Sequence, residues 1–573
     1  MRMQVGPTQP FSQHLHAQKY RSEGETFREA ANRIASTLAD GDAHFHTFRE
    51  MLFDMRFMPA GRIQSAIGST KRVTPYNCFV SGTIEDSLVD GTGSIVNRFS
   101  EALLTLRMGG GIGYDFSTLR PKGALIRKLQ SRSSGPLSFM HVYDAGCRCI
   151  ASAGHRRGAQ MGILRVDHPD IEDFIRAKHN STELTGFNLS IAITDEFMQA
   201  VRAKKTFQLR FGKEVYREVD AFALWEMIMR STWDWAEPGV IFIDRINEMN
   251  NLQYCEKIAA TNPCAEQPLP PFGACLLGSF NLVKYLVLGD NGYAFDDKRF
   301  LADIPHVVRA MDNVVDKAVY PLYEQEKEAK NKRRMGLGVT GLANTLEAQG
   351  YAYGTPQFVK QMGRILQLLA NGCYRASVEL AKEKGEFPLF DDRYLESKFL
   401  THLDPEVVAL IHEHGIRNSH LLSIAPTGTI SLCADNVSSG IEPVFDYEFE
   451  RTVIEFGNQP VKHNVVDYGW RVFQVQGKRS ADVTVQEHLA VLSEAYKWVD
   501  SAVSKTCNVP STTPWPDFQA LYFQAWEAGC KGCTTYQVGG KRAGVLESKP
   551  QPVASEEGAA CEIDAATGRR SCE

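Results

Sequence analysis

Between residue 76 and about residue 540, short apolar runs alternate with amphipathic stretches, and no other feature constrains the fold as strongly. Phe187-Asn188-Leu189-Ser190-Ile191-Ala192-Ile193 reads as a strand. It leads into Asp195-Glu196-Phe197-Met198, which reads as the start of a helix. Repetition of that order predicts an α/β architecture with its chemistry on loops at strand ends. Upstream, residues of about 22 to 57 predict helices, because Thr26-Phe27-Arg28-Glu29-Ala30-Ala31-Asn32-Arg33-Ile34-Ala35 places apolar groups at helical spacing. The expected organisation is a helical region over 1–75, a catalytic α/β region over 76–540 and a flexible tail over 541–573, where Lys549-Pro550-Gln551-Pro552 opens a stretch poor in large apolar groups.

The chain has 573 residues, of which 43% are hydrophobic, enough for a substantial core. Lys and Arg total 63 against 68 Asp and Glu, so a net charge of −5 gives no electrostatic reason to bind nucleic acid or a membrane surface. The N-terminus lacks the apolar run of a signal peptide, and no stretch approaches the ~18 apolar residues of a membrane span. A cytoplasmic location is expected. The 13 cysteines follow no disulfide framework, which predicts mostly free thiols in a reducing compartment, a few of them redox-active.

One segment concentrates chemistry. Thr261-Asn262-Pro263-Cys264-Ala265-Glu266-Gln267 brings an amide, a thiol and a carboxylate together, and a second thiol follows in Gly273-Ala274-Cys275-Leu276-Leu277-Gly278-Ser279-Phe280-Asn281-Leu282. If the segment is extended, Asn262, Cys264 and Glu266 point the same way and converge on one small ligand. The segment contains no histidine to orient the thiol, so redox or radical chemistry fits better than acyl transfer.

This string resembles the finger-loop motif of ribonucleotide reductase large subunits, most closely the adenosylcobalamin-dependent class. The resemblance continues, in order, through Tyr76-Asn77-Cys78-Phe79-Val80, Gly109-Gly110-Gly111-Ile112-Gly113, Arg156-Arg157-Gly158-Ala159 and Pro426-Thr427-Gly428-Thr429-Ile430-Ser431. It implies a ten-stranded α/β barrel of two five-stranded halves, with the Cys264 loop threaded through its centre and a small helical domain before it.

The resemblance also implies roles. Cys264 would form a thiyl radical that takes the 3′ hydrogen of a ribonucleotide, Glu266 would act as base at the 3′ hydroxyl, and Asn262 would hold the ribose. Cys78 and Cys275 would be the reducing pair that ends as a disulfide. Cys561 and Cys572 on the tail would shuttle electrons to that disulfide from thioredoxin or glutaredoxin, although ten residues between them is wider than the family's usual spacing. Pro426, Thr427, Gly428, Thr429, Ile430 and Ser431 would cradle substrate phosphates in the first turn of a helix, and Gly111 would allow close backbone approach.

An effector deoxynucleoside triphosphate site is implied at Asp86, Ser87, Leu88, Arg120, Arg127 and Arg156, with Asp86 on the ribose, Arg120 and Arg127 on phosphate, and the loop of residues 154–160, which carries Arg156, relaying base identity to the substrate pocket. No stretch has the signature of the family's ATP cone, so overall-activity control is expected to be absent. The metal-radical class relays its radical over two adjacent tyrosines. Here Gly529-Cys530-Lys531-Gly532-Cys533-Thr534-Thr535-Tyr536-Gln537 carries one, which favours adenosylcobalamin over a partner subunit. Cys530 and Cys533 could instead be half of a zinc site, without a matching second half. No metal is expected, and a homodimer is permitted. A metal-radical large subunit and a silent nucleotide-binding regulator are the alternatives.

Overall fold

The computed structural model describes residues 5–151, 159–179, 182–455, 459–537, 541, 562–563 and 570–571. Three helices come first: α1 (Pro10–Tyr20), α2 (Phe27–Leu38) and α3 (Asp42–Phe53). Helix α2 starts where Thr26 and Glu29 cap each other reciprocally, and its buried stripe of Ala30, Ala31, Ile34, Ala35 and Leu38 follows helical spacing. The short strand Phe57–Pro59 then joins this region to the rest of the molecule.

Five parallel strands follow: β1 (Cys78–Val80), β2 (Gly111–Asp115), β3 (Gln160–Arg165), β4 (Phe187–Ile193) and β5 (Gly239–Phe242). Helices cross over between them, for example Ile95–Arg107 between β1 and β2, and Pro136–Ala151 between β2 and β3. Parallel strands under crossover helices are covered on both faces, which is why these runs are apolar almost throughout. Every residue of β4 is buried.

Downstream lie β6 (Ala260–Thr261) and β7 (Pro268–Leu269), which pair with each other; β8 (Ala274–Cys275) and β9 (Leu277–Asn281), separated by Leu276; β10 (Gly336–Thr340); helix α4 (Gly428–Cys433); and β11 (Thr506–Val509) and β12 (Gly532–Gln537). The main sheet has eight strands in the order β8-β1-β2-β3-β4-β5-β12-β11. Its antiparallel joints are β8 on β1 and β12 on β5. A three-stranded sheet places β9 between Phe57–Pro59 and β10. Two isolated bridges, Leu337↔Leu422 and Ile424↔Val503, extend from β10 toward β11.

The α/β expectation therefore holds. Among the described residues the ladders form one open sheet of eight strands, one of three, and six two-stranded pairs. No described helix is long and apolar enough to cross a membrane.

Candidate active site

The thiol-bearing segment is a turn, not the extended strand expected from residue alternation. Strands β6 and β7 pair as Ala260↔Leu269 and Thr261↔Pro268, leaving Asn262–Gln267 to close the hairpin. Proline after asparagine favours the second position of a turn. Ala265 N–H donates to Asn262 O at 3.0 Å, with Ala265 in the left-handed region at φ +64°. Asn262 Oδ1 accepts from Gln267 N–H at 2.9 Å. Convergence of the three side chains comes from this curl.

Both sides of the molecule hold the turn. Asn188 on β4 donates its Nδ2 to Pro263 O at 3.0 Å. Glu266 O accepts Ser423 Oγ–H at 2.8 Å and Ala502 N–H at 3.0 Å. Beneath it, a Cβ on Gly113 would lie 1.8 Å from Thr261 O, so the crossing of β2 and β6 requires glycine. A Cβ on Gly111 would meet Cys78 Sγ at 3.1 Å and Pro263 Cγ at 3.2 Å. Gly111 thus makes room for the turn and the thiol together. Asn188 and Ser423 were not anticipated as site residues, and Gly113 only as part of the glycine cluster 109–113. Asn188 had a visible signal, an amide inside an otherwise apolar strand.

Three thiols and a carboxylate meet here. Cys78 and Cys275 are direct cross-strand partners in the β1–β8 pair. Antiparallel partners have Cα atoms about 4.5–5.5 Å apart, inside the roughly 4.4–6.8 Å range that a disulfide spans. Cys275 is fully buried, Cys78 is 4% exposed and Cys264 is 8% exposed, the most open of the three. Burial pushes the Cys275 thiol well above its ordinary value, and negative charge on Glu266, Cys78 or Cys264 pushes it further. Cys275 therefore faces all three groups, and it is protonated at neutral pH.

Glu266 is raised to about 7 by burial, while the Asn262 amide and its own backbone N–H draw it down. Asn262 Nδ2 and Glu266 Oε2 are buried, and neither makes a hydrogen bond of good geometry within the protein. The two groups act on each other without a well-formed bond, so both keep hydrogen-bonding capacity inside the site.

Ser423 leads within a few residues to the second motif. Thr427 caps α4 in the left-handed region at φ +53°, with Pro426 just before the helix instead of in its first turn. Thr427 Oγ1 accepts Gly440 N–H at 2.7 Å and lies 3.0 Å from Thr340 Oγ1. Ser431 Oγ donates to Gly428 O and lies 2.8 Å from Ser439 Oγ. Gly428 and Thr429 remain partly exposed, next to a cavity lined by Gly428, Asn436, Ser438, Ser439 and Phe449. The first N–H groups of any helix lack intrahelical acceptors, and Ile430 completes that turn.

At the expected effector residues, Asp86 and Arg120 do come together, with Arg120 Nε 2.7 Å from Asp86 Oδ2. Ser87 Oγ accepts Asp90 N–H at 3.0 Å, and Leu88 is 56% exposed. Arg127 is exposed in the turn after Leu125–Ile126. Arg156, Cys561 and Cys572 lie outside the described residues. Cys530 and Cys533 are buried with Cys507 near Tyr496, and no group of three or more His, Cys, Asp or Glu side chains among the described residues is placed to hold a metal ion.

Comparison with known proteins gives a consistent result. Residues 76–536 match the family model "Ribonucleotide reductase, barrel domain". The chain is 35% identical over 560 residues to a vitamin B12-dependent ribonucleoside-diphosphate reductase of Mycobacterium tuberculosis, covering 92% of this chain and 76% of that protein. It is 31% identical to the enzyme of the same name from Thermoplasma acidophilum, over 91% of this chain and 68% of the relative. A ribonucleoside-diphosphate reductase subunit alpha of Chlamydia muridarum is 26% identical over 71% of this chain and 44% of the relative.

Proposed function

The chain belongs to the ribonucleotide reductase family, and on that premise we propose that it reduces ribonucleoside diphosphates to 2′-deoxyribonucleotides with adenosylcobalamin as its radical source. The observation that carries this reading is the meeting of Cys78, Cys264 and Glu266 around the buried Cys275 thiol. The relatives named as vitamin B12-dependent diphosphate reductases support both the cofactor and the phosphate level. Cys264 is the most open of the three thiols and stands at the tip of a turn, which fits a radical source arriving from one side.

Adenosylcobalamin, when bound, would supply the radical chemistry, and Cys264, at the open tip of the turn, is the thiol placed to give up its hydrogen to it. Cys264 then takes the 3′ hydrogen of the ribose, while Glu266 accepts the 3′ hydroxyl proton and Asn262 Nδ2 orients the sugar. Because Cys275 keeps its proton, the Cys78–Cys275 pair can protonate the departing 2′ hydroxyl, which leaves as water. The two thiols contribute two protons and two electrons, one hydrogen leaving in the water and the other ending on C2′, and an S–S bond forms between them. Cys264 returns its hydrogen to C3′. Glu266, at about 7, is balanced to take and return a proton near neutrality.

We read strands drawn from both sheets as the two halves of a ten-stranded barrel, with the Asn262–Gln267 turn as its finger loop. Five parallel strands, β1 to β5, make one half. The bridges Leu337↔Leu422 and Ile424↔Val503 support a second half running from β9 and β10 through residues 421–424 to β11 and β12. The N–H groups of Gly428, Thr429 and Ile430 would hold substrate phosphate. Asp86, Ser87, Leu88, Arg120, Arg127 and Arg156 would bind an effector deoxynucleotide. Exposed Val96, Leu104 and Val142 on the neighbouring helices support a homodimer. Cys561 and Cys572 would pass electrons from thioredoxin or glutaredoxin, in the cytoplasm.

The test is an anaerobic assay of the purified chain with CDP, dithiothreitol and an effector deoxynucleotide, with and without adenosylcobalamin. Deoxynucleotide formed only with the cofactor supports the proposal. Activity that instead requires an added metal-loaded subunit overturns it.

A further inference from the structure

We propose that Asp435 is a positioning residue, which clips the N-terminal helix α1 onto α4 and thereby sets the affinity for the nucleotide. The inference rests on the reading of α4 as the phosphate helix. Helix α4 ends at Cys433, and the chain then makes two consecutive left-handed residues, Asp435 at φ +62° and Asn436 at φ +59°. Non-glycine residues adopt that conformation at a cost, and two in succession persist only where the surroundings hold them.

The surroundings of Asp435 are specific. Its carboxylate, 2% exposed, accepts Thr8 N–H at 2.8 Å (Oδ1) and 3.0 Å (Oδ2), Thr8 Oγ1–H at 2.7 Å and Gln9 N–H at 2.9 Å. Gln9 is the N-cap of α1, and its own side chain makes no capping bond. Asp435 therefore places a carboxylate just before the positive end of α1, from more than 420 residues away, on the N–H groups of the two residues that lead into the helix. Ser12 Oγ of α1 also donates to Leu432 O of α4 at 2.6 Å.

Apolar packing reinforces the clip. Leu15 and Tyr20 of α1 share a separate hydrophobic cluster with Ile430, Leu432, Cys433, Ala434 and Val437. Helix α4 thus lies between Thr340 and Gly440 at its start, through Thr427 Oγ1, and α1 at its end. The first anchor belongs to the barrel region. The second comes from residues 8–20, outside the family-matched span of 76–536. The same end is also held by Asn436, which donates its Nδ2 to Val466 O at 3.0 Å and accepts Tyr468 N–H at 3.1 Å, so loss of the α1 contact would leave α4 in place but loosen it, letting the N–H groups of Gly428, Thr429 and Ile430 shift relative to the phosphate. Residues at the reacting sugar, held by Asn188, Ser423 and Ala502, do not depend on this contact.

The expected signature is a change in KM with little change in kcat. In steady-state assays of the full chain with adenosylcobalamin and CDP, Asp435→Asn should raise KM about tenfold and Thr8→Val about threefold, with kcat within twofold of the parent. The double variant should be no worse than Asp435→Asn alone, because both changes remove the same contact. Thr8→Val removes one hydroxyl at the surface end of the clip and keeps the test open if Asp435→Asn does not fold. Unchanged KM in both variants, or a fall in kcat at constant KM, would overturn the proposal. Thr429→Pro separates this outcome from failure of the phosphate reading, since it deletes a first-turn N–H that has no acceptor within the helix. If Thr429→Pro leaves KM unchanged, α4 is not the phosphate helix. If it raises KM while the other two variants do not, only the role of Asp435 fails.

Discussion

Cys78 and Cys275, 197 residues apart in the chain, stand directly opposite one another across the antiparallel β1–β8 pair. Strand register brings the two sulfurs together, and neither flexible loops nor a bound group is needed to do so. The Cα separation of an antiparallel pair is within the range that a disulfide spans.

The first prediction concerns that pair. A single anaerobic turnover without reductant should yield one deoxynucleotide per active chain and a Cys78–Cys275 disulfide, read by mass spectrometry of the alkylated digest. Either Cys78→Ser or Cys275→Ser should reduce product formation by at least a hundredfold while leaving nucleotide binding within a few-fold. Recovery of both thiols in alkylated form after turnover would remove the pair from the mechanism.

A second prediction follows from Glu266, whose carboxyl is raised to about 7 by burial. As a base it must be ionised, so kcat/KM should rise with pH and level off above about 7. The stability effect has the opposite sign. Because the folded-state value lies above the unfolded one, folding favours the protonated carboxyl. That contribution is full below about 4.5 and is lost as pH rises through about 7. Glu266→Gln should therefore be inactive yet more stable than the parent at pH 8, by up to about 3 kcal/mol. A melting temperature at pH 8 below that of the parent would contradict the burial argument.

Much of this was legible before the structure, and the exceptions have physical causes. Parallel strands buried on both faces leave continuous apolar runs, so Phe187–Ile193 and its neighbours announced an α/β fold. The Asn262, Cys264 and Glu266 set was also visible, but its geometry was not. Alternation assumes an extended chain, and Pro263 together with the left-handed Ala265 turns it. Asn188 stood out as a polar group in a strand, yet its partner Pro263 O lies 75 residues on and is fixed only by which strand passes beneath the turn. The contact between Thr8 and Asp435 spans 427 residues and has no local signal at either end. Residues 421–424 contribute isolated bridges and no regular strand, so their place beside β10 was hidden from pattern reading.

The third prediction tests the crossing of β2 under β6. A methyl group on Gly113 would sit 1.8 Å from Thr261 O, a backbone atom that cannot rotate away. Gly113→Ala should destabilise the fold by about 1–3 kcal/mol. It should also displace the Cys264 turn, where an error of about 1 Å costs on the order of a hundredfold in rate. Gly289→Ala is the control, since its Cβ would meet only Gly292 O at 3.8 Å. Comparable melting temperatures and activities for the two variants would show that the crossing tolerates a side chain.

The last prediction concerns how the disulfide is reduced. With Cys275 fully buried and Cys78 only 4% exposed, a protein the size of thioredoxin has no direct access to their sulfurs, whereas dithiothreitol is small enough to enter. A thiol carried on the chain itself resolves the difference, because exchange can then occur once inside and once outside. Replacing Cys561 and Cys572 with serine should lower multiple-turnover activity at least tenfold with thioredoxin, its reductase and NADPH, but by less than twofold with dithiothreitol. Single-turnover yield should be unaffected, since on the proposed mechanism the first reduction would use only Cys78 and Cys275. Equal loss with both reductants would place the two cysteines in the fold or the chemistry instead of in electron delivery. Full activity with thioredoxin would mean that the buried pair opens to its reductant directly.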